Sequence, residues 1–236
     1  MNNPTIIDEN DDYFVLDKPA GFAVDPVAHY PSISDWLVEK GQIFASDWPL
    51  DGRLGVVHRT DVDTSGLLIW AKTPASQENL KRLWQGRAVE KTYLGLAVGE
   101  LPERGTVEVA IRRDNQKDHQ TIALLPHKKA RPAITEFLRL KTVTTAGGVV
   151  SLFEAKPITG RTHQIRVHLK YLGHPVIGDK HYGDKASRSL AKELNLTRHF
   201  LHAWKLSLPW QGKKEHYESP LPSELAQILR RLNLNP

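Results

Sequence analysis

The sequence of 236 residues contains no cysteine, which excludes disulfide bonds, thiol catalysis and thiolate-bound metals. No apolar run reaches the length of about 18 residues that a membrane-spanning helix needs. The first residues, Met1 to Pro4, carry neither a basic region nor an apolar core, so no secretory signal peptide is predicted. The chain also lacks internal repeats and low-complexity segments. These absences lead us to expect a cytoplasmic protein that does not contact a membrane.

The residues that are present have an ordinary globular composition. Hydrophobic residues make up 40% of the chain and charged residues 25%, which is typical of a soluble globular protein. The length suits one large domain or two small ones. The formal net charge is +5, and this modest excess of Lys and Arg is compatible with an acidic partner.

The most informative stretch runs from His58 to Thr73, where a polar loop leads directly into an apolar run. Residues 66–71 predict a buried strand, and such a strand fixes the position of the polar groups beside it. Asp61 is the candidate reactive residue. By spacing alone the Asp, Thr and Ser residues are typical of a simple turn. The loop shows no metal-ligand pattern and no Ser–His–Asp order.

Residues 156–183 form the second informative stretch. We interpret 162–172 as a helix that is capped by Thr162 and stopped by the Gly-His-Pro segment at 173–175. Arg161 then lies at the helix N-terminus, where free N–H groups favour a negative charge. His163 and His168 are five residues apart, which aligns them on neither a helix nor a strand. We therefore expect no metal site.

Other patterns predict the remaining elements. Residues 90–98 predict a strand on which Tyr93 shares a face with small residues, a position more typical of core or surface packing than of ligand contact. Helices are predicted at 32–44, from Thr73 to Gly86, and after Ser223. Ser32 or Ser34 can cap the first of these helices, and Gly41 can end it. Strands are predicted at 5–7, 13–16, 106–111, 120–125, 134–143, 149–155 and 199–208, with short links that favour antiparallel pairing.

Several of these stretches resemble the signature motifs of the RluA-type RNA pseudouridine synthases. Residues 58–73 are similar to HRLD-x-x-TSGLL-x-x-AKT, with Thr60 where the family usually has Leu. Residues 159–183 are similar to TGRTHQIRVHL-x-x-LGHP-x-x-GD-x-x-YG. The segments at 17–26, 90–96 and 201–206 resemble N-K-P-x-G followed by V-x-P, E-K-x-Y-L-x-L, and L-H-A-W-x-L, with Asp17 in place of the usual Asn. The resemblance extends over roughly residues 8 to 225.

The resemblance implies a role for five residues. The catalytic Asp of the family falls on Asp61, and the Arg that pairs with it falls on Arg161. Tyr93 inherits the position of the Tyr that stacks on the target base, and Leu201 that of a Leu beside the catalytic Asp. Arg59 matches the Arg that enters the space vacated by the extruded nucleotide.

The implied fold is a mixed α/β (α+β) pseudouridine synthase core, a single domain over residues 1–236 without the S4-type RNA-binding domain of many members. Its bent, mostly antiparallel sheet, with flanking helices, would surround a central basic cleft. The implied reaction is the isomerisation of a specific uridine to pseudouridine in a stem-loop of tRNA, large-subunit rRNA or both. We expect a monomer that needs no cofactor and no metal.

Two other classes of function compete with this interpretation. An RNA-binding protein without catalysis would keep Tyr93 and the basic pieces of the chain, but would not need Asp61. Those basic pieces are Arg112-Arg113, Lys117 and residues 127–131, which suit either solvated surface or phosphate contacts. A metal-dependent nuclease or phosphatase would use His58, Asp61, Asp63 and the later histidines, whose spacing fits metal ligands poorly.

Overall fold

The computed structural model describes residues 3–49, 53–114 and 119–235. Lys117, one of the predicted basic pieces, lies outside these residues. The strands are β1 Thr5–Glu9, β2 Tyr13–Lys18, β3 Ser65–Ala71, β4 Glu90–Val98, β5 Arg104–Glu108, β6 Ile111–Arg113, β7 Gln120–Ile122, β8 Ile134–Thr145, β9 Gly148–Pro157, β10 Leu201–Trp210 and β11 Lys213–Glu218. The helices are α1 Ile33–Glu39, α2 Pro74–Gln85, α3 Gln164–Tyr171, α4 Lys185–Glu193 and α5 Ser223–Arg231, with a short 3-10 helix at Ala45–Asp47.

The fold is mixed α/β with mainly antiparallel strands and few helices, as predicted. The chain divides into two compact units. The first unit comprises Met1–Lys91 and Ala203–Leu221, and the second comprises Thr92–His202 and Pro222–Pro236. The chain thus passes from one unit to the other inside β4, and returns inside β10. The single domain, the bend of the sheet and the central cleft stay predictions.

In the first unit the strands lie in the order β1, β2, β3 and β10, and β11 pairs with β10. Every residue of β3 is buried. Alternate side chains of a strand point to opposite faces, so β3 joins two core clusters. Leu67 and Ile69 pack with Leu80 of α2, whereas Leu68 and Trp70 pack with residues of α1. The strand that follows the Asp61 loop is therefore held from both faces.

Gly66 lets β3 approach its neighbour closely. Its φ is +108°, in a region that favours glycine, and a Cβ at this position would overlap the backbone carbonyl oxygen of Ala203 in β10. A larger residue would push β3 away from β10, directly after the polar loop.

In the second unit the strands lie in the order β4, β9, β8 and β5, while β6 and β7 form a separate two-stranded sheet. Helix α3 packs its buried Ile165 and Leu169 against Phe153 and Ala155 of β9 in the main core of this unit. Val167, between them in sequence, instead joins a small cluster with Ile111 of β6. Helix α3 therefore contacts both sheets of the unit.

The structure confirms some predicted helix ends and corrects others. Thr73 caps α2 through a reciprocal pair of hydrogen bonds with Ser76. Ser32 caps α1, which ends at Glu39, two residues before Gly41 and short of the outer limit of 44. The prediction that Thr162 caps α3 is wrong. The N-cap is His163, which has a left-handed φ of 56° and no side-chain capping bond. The chain therefore makes a tight turn between Arg161 and the helix.

The predicted strand at 106–111 is interrupted. Residues 106–108 lie in β5 and residue 111 begins β6, in a different sheet, whereas residues 109–110 belong to neither strand. Two elements were not predicted. Helix α4 has few apolar residues and is started by the Asp184 cap, and β11 is polar but pairs with β10 across the Gln211-Gly212 turn. Among the described residues, no helix is long and apolar enough to cross a membrane.

Candidate active site

The Asp61 loop, residues 58–64, leads into β3 in the first unit. Asp61 is partly exposed, and its backbone carbonyl accepts a hydrogen bond of 3.0 Å from the Thr64 N–H. The next carbonyl, of Val62, accepts the Gly21 N–H at 2.9 Å and the Lys18 ammonium at 3.0 Å. The loop backbone is therefore held at Asp61 and at the residue that follows it.

Lys18 is fully buried, which is rare for a lysine. It ends β2 on the same face as Phe14 and Leu16. Its ammonium donates to the carbonyls of Val62, Phe22 and Pro19 at 3.0, 2.9 and 3.0 Å. A buried charge is tolerated when hydrogen bonds replace its hydration. Lys18 thus joins the turn after β2 to the Asp61 loop.

His58, at the start of the Asp61 loop, accepts a hydrogen bond on Nε2 from the backbone N–H of Ile69, at 3.0 Å. Its ring stacks on Trp84 with centroids 4.6 Å apart. Burial, together with the positive charge of Lys91, lowers the pKa of His58 to about 3. The imidazole is therefore neutral near pH 7. It supports β3 as a hydrogen-bond acceptor.

Arg59 lies on the surface of the same loop. Its side chain is 56% exposed and forms an ion pair with Asp25 at 3.5 Å. Exposed ion pairs contribute about 0–1 kcal/mol, so this guanidinium can exchange its partner at little cost.

The Arg161 loop, residues 159–163, precedes α3 in the second unit. The Arg161 side chain is exposed, and its Nε donates to the Pro132 carbonyl at 3.0 Å. Its backbone N–H donates to Oε1 of the buried Gln164, also at 3.0 Å. The same oxygen accepts the Thr159 hydroxyl at 2.7 Å, and Nε2 of Gln164 donates to Ile134 O at 2.8 Å. One amide therefore holds both ends of the Arg161 loop against β8.

His168 sets the direction of this buried network. Its Nε2 lies 3.1 Å from the Val109 carbonyl, which can only accept, so Nε2 carries the proton. Nδ1 then accepts the hydroxyl proton of Thr135 at 2.9 Å, and the Thr135 oxygen accepts from Gln164 Nε2 at 2.9 Å. Burial lowers the pKa of His168, which favours this neutral form. Each of these hydrogen bonds therefore has a defined donor and a defined acceptor.

A buried ion pair ties α3 to the segment that follows it. Arg166 donates from Nε and Nη2 to the two carboxylate oxygens of Asp179, at 2.7 and 2.9 Å. Asp179 also accepts the backbone N–H groups of His181 and Tyr182. Burial alone would raise the pKa of Asp179, but the Arg166 hydrogen bonds and charge hold it below its usual value. No role was predicted for either residue from the sequence, although both lie in the motif at residues 159–183.

Tyr93 and Leu201 lie in one core cluster of the second unit, together with Ile165 of α3. Tyr93 is partly buried, and Leu201 is only 3% exposed. The structure therefore brings together Tyr93, Leu201 and the helix that follows Arg161, whereas Arg59 and Asp61 belong to the first unit.

The histidines of the motif at residues 159–183 contact side chains in ways typical of packing, and not of metal binding. The Tyr182 hydroxyl accepts the Gln120 N–H at 2.9 Å and lies 2.8 Å from Nδ1 of His163, to which it can donate. The rings of His163 and His181 stack with centroids 6.0 Å apart. Within residues 3–49, 53–114 and 119–235, no group of three or more His, Cys, Asp or Glu side chains is arranged to hold a metal ion.

Comparison with known proteins identifies the family to which these motifs belong. A family model described as RNA pseudouridylate synthase matches residues 12–171, which include both loops. The chain belongs to this family. The prediction that the chain belongs to the RluA-type pseudouridine synthases is therefore confirmed.

Individual relatives agree with the family. The "Ribosomal large subunit pseudouridine synthase D" of Nitrosomonas europaea is 36% identical over 238 residues, covering 98% of this chain and 66% of the relative. An "Uncharacterized RNA pseudouridine synthase" of Chloroflexus aurantiacus is 40% identical over 219 residues, covering 91% and 65%. The chain thus spans slightly less than two thirds of the length of these two pseudouridine synthases.

A solved structure, "Human RNA Pseudouridylate Synthase Domain Containing 4", has the same fold with a TM-score of 0.77 and 27% identity, and the match covers 98% of this chain and 94% of that one. The roles of five residues of this chain stay predictions: Asp61, Arg59, Tyr93, Arg161 and Leu201.

Proposed function

We propose that this chain isomerises a uridine to pseudouridine in a stem-loop of tRNA, large-subunit rRNA or both, with Asp61 as the catalytic carboxylate. The observation that carries the proposal is the way the Asp61 loop is held. The buried Lys18 and Gly21 of the first motif both donate to the Val62 carbonyl, next to Asp61. A carboxylate on a fixed loop suits a reaction that needs one group at one sugar.

The chemistry explains why one carboxylate suffices. The base leaves C1′, rotates and is rejoined through C5, so no atom is gained and nothing is oxidised. The carboxylate of Asp61 acts either as a nucleophile at C1′ or as a base at C2′. Both routes need the ionised carboxylate and regenerate it at the end. The reaction balances without a cofactor or a metal.

The other four residues serve this carboxylate and its substrate. Arg161 pairs with Asp61 and favours its ionised form. Tyr93, on a rigid strand, stacks on the extruded base, which must leave the helical stack to be reached. Arg59 releases Asp25 and enters the space that the nucleotide leaves. Leu201 packs beside the site. We propose that a monomer does this work in the cytoplasm.

A mapping experiment tests the proposal. Total RNA from cells lacking the gene is incubated with the purified chain, and pseudouridine is mapped with a base-specific chemical probe. We expect one or a few uridines in tRNA or rRNA to gain the signal, with EDTA present or absent. Chelator-sensitive RNA cleavage would instead indicate a metal-dependent nuclease, and unchanged maps with RNA retained would indicate a binding protein.

The Asp61→Asn variant identifies the carboxylate. We expect its turnover to fall by at least about 100-fold, since the amide can neither attack nor accept the proton, while RNA affinity and thermal stability are kept. Asp63→Asn, in the same loop, is the matched control and keeps most of its turnover. Substantial turnover by Asp61→Asn, or equal losses in both variants, would contradict the role of Asp61.

A further inference from the structure

One part of the second unit carries most of the net positive charge of the chain. We call residues 111–114 and 119–131 the basic arm; it contains β6, β7 and the loop that follows β7. Five Lys or Arg residues and one Asp give the basic arm a net charge of +4, against +5 for the whole chain. The arm therefore accounts for most of the net charge of the chain, and a polyanion is attracted to it.

The basic arm also carries an unusual apolar surface. Leu124 and Leu125 are 72% and 79% exposed, the highest values among the exposed large hydrophobic residues that the structure describes. They immediately precede the basic stretch His127 to Arg131. Single exposed apolar residues are ordinary, but two adjacent leucines with almost no packing expose an apolar patch that a partner can cover.

The basic arm is anchored at its base. Ile111 and Arg131 exchange backbone hydrogen bonds of 2.9 and 2.8 Å, and the Gln120 N–H donates to the Tyr182 hydroxyl at 2.9 Å. Ile111 and Ile122 pack with Val167 of α3. An isolated two-stranded ribbon is marginally stable, so these contacts give the arm a defined position on the helix that follows the Arg161 loop.

Lys128, Lys129 and Arg131 point their charge outward. All three are exposed, and no carboxylate of the described residues forms an ion pair with them. Their ammonium and guanidinium groups are therefore available to phosphates, and forming such contacts breaks no internal pair.

We infer that the basic arm binds the RNA substrate, with Lys128, Lys129 and Arg131 on phosphates and Leu124 and Leu125 against unstacked bases of the loop. This inference rests on the proposed function for the identity of the polyanion. Charge favours RNA over a second copy of the chain, because two arms of +4 repel each other. Apolar side chains bind where bases are splayed out, as in a stem-loop, and not in a regular duplex.

Binding measurements separate the two contributions. The purified chain is titrated by fluorescence anisotropy into a labelled RNA hairpin with a uridine-containing loop, and into a fully paired RNA duplex. The basic variant is Lys128→Gln/Lys129→Gln/Arg131→Gln, and its matched control is Arg230→Gln/Arg231→Gln on the exposed side of α5. The apolar variant is Leu124→Ser/Leu125→Ser, and its control is Phe44→Ser, which is 60% exposed in the first unit.

We expect the basic variant to bind both RNAs at least about tenfold more weakly. Its plot of log affinity against log salt should lose about 2 units of slope, since each phosphate contact contributes roughly 0.7 to 0.9. The apolar variant should keep that slope but lose its preference for the hairpin over the duplex. Both controls should bind like the parent chain, and thermal melts should show that all variants are folded.

Affinities of the arm variants equal to their controls would overturn the inference, as would a wild-type chain that binds neither RNA. A Leu124→Ser/Leu125→Ser variant that only converts a dimer to a monomer would assign the leucines to self-association instead. Different results would refute the proposed function and the RNA-binding role of the arm. Arm-dependent binding without pseudouridine in the mapping experiment would refute isomerisation alone, and pseudouridine formation at normal affinity by the arm variants would refute the arm alone.

Discussion

The Asp61 loop of the first unit is held by a buried cation, whereas the Arg161 loop of the second unit is held by a neutral amide. Lys18 donates to three backbone carbonyls, and Gln164 both accepts from the Arg161 N–H and donates to Ile134 O and Thr135. In both loops the side chain proposed for chemistry, Asp61 or Arg161, is at least partly exposed. A buried polar side chain, Lys18 or Gln164, holds the backbone of the loop. Position and reaction thus depend on different residues.

The largest effect on stability is expected where the cation is removed. Lys18→Met removes the ammonium from three carbonyls, of which the Val62 carbonyl keeps a second donor, the Gly21 N–H. Because the bond to the Phe22 carbonyl is buried, we expect a loss of about 3 kcal/mol in the free energy of unfolding. Urea denaturation measures it. The control is Lys214→Met, which breaks an exposed ion pair with Glu90 and should cost under about 1 kcal/mol. Equal losses would remove Lys18 from its holding role.

Arg161→Ala should change turnover without changing the stability of the second unit. The side chain is exposed, so we expect little change in stability, but turnover should fall by roughly 100-fold because the Asp61 carboxylate loses its proposed partner. Arg161→Lys should recover part of the turnover. Single-turnover assays and thermal melts of the variants measure both quantities. Normal turnover in Arg161→Ala would exclude this arginine from the site.

Gln164→Leu tests the neutral amide. The buried Thr159 hydroxyl and the partly buried Arg161 N–H lose their acceptor, while the Ile134 carbonyl keeps the Ile158 N–H. We therefore expect about 2 kcal/mol less stability and a fall in turnover smaller than that of Arg161→Ala. The control is Gln211→Leu, on an exposed turn, which should change stability by less than about 0.5 kcal/mol. If Gln164→Leu loses stability but keeps full turnover, the amide stabilises the fold without positioning Arg161.

The smallest effect is a pH dependence in the first unit. The pKa of His58 is about 3 in the folded chain and near 6.5 in the unfolded chain, so below pH 6.5 the unfolded state binds the proton and the folded state does not. Stability should therefore fall as the pH is lowered from about 6.5 towards 3, by about 1–2 kcal/mol at pH 5. His168 shifts in the same direction.

Urea denaturation at pH 7.5 and pH 5 measures this loss. His58→Gln keeps an acceptor for the Ile69 N–H but cannot titrate, so its stability should depend less on pH over that range. The exposed His216→Gln should retain the full dependence of the parent chain. An unchanged slope in His58→Gln would show that His58 is not the titrating group.

The sequence predicted the position of both loops, because each joins a polar cluster to a strongly apolar or helical pattern. The Asp61 loop leads into a strand with no polar residue after Ser65, and α3 shows a helical repeat of Ile165 and Leu169. What the sequence could not predict were contacts between distant segments. The bond from Lys18 to Val62 spans 44 positions, and that from Gln164 to Ile134 spans 30.

A signal for Lys18 was nevertheless present. The strand was predicted only over 13–16, but when its period of two is continued to residue 18, Lys18 shares the face of Phe14 and Leu16. Gln164 and His168 likewise lie four residues apart on one face of α3 and face β8 together. The polar strand β11 had no comparable signal, since its stability comes from pairing with β10 and not from its own side chains.

The division of the first unit between two distant parts of the chain has a consequence for its synthesis. Strand β3 ends at Ala71, but the part of β10 that lies beside it begins at Ala203, about 130 residues later. At a translation rate of roughly 5–20 residues per second, the ribosome needs about 7–26 s to make that neighbour. During this interval the second unit can form most of its strand pairs, while the edge of β3 that will pair with β10 stays unpaired in the nascent chain. The loop that carries Asp61 therefore reaches its final support among the last parts of the molecule, and nascent-chain chaperones have a defined edge to protect.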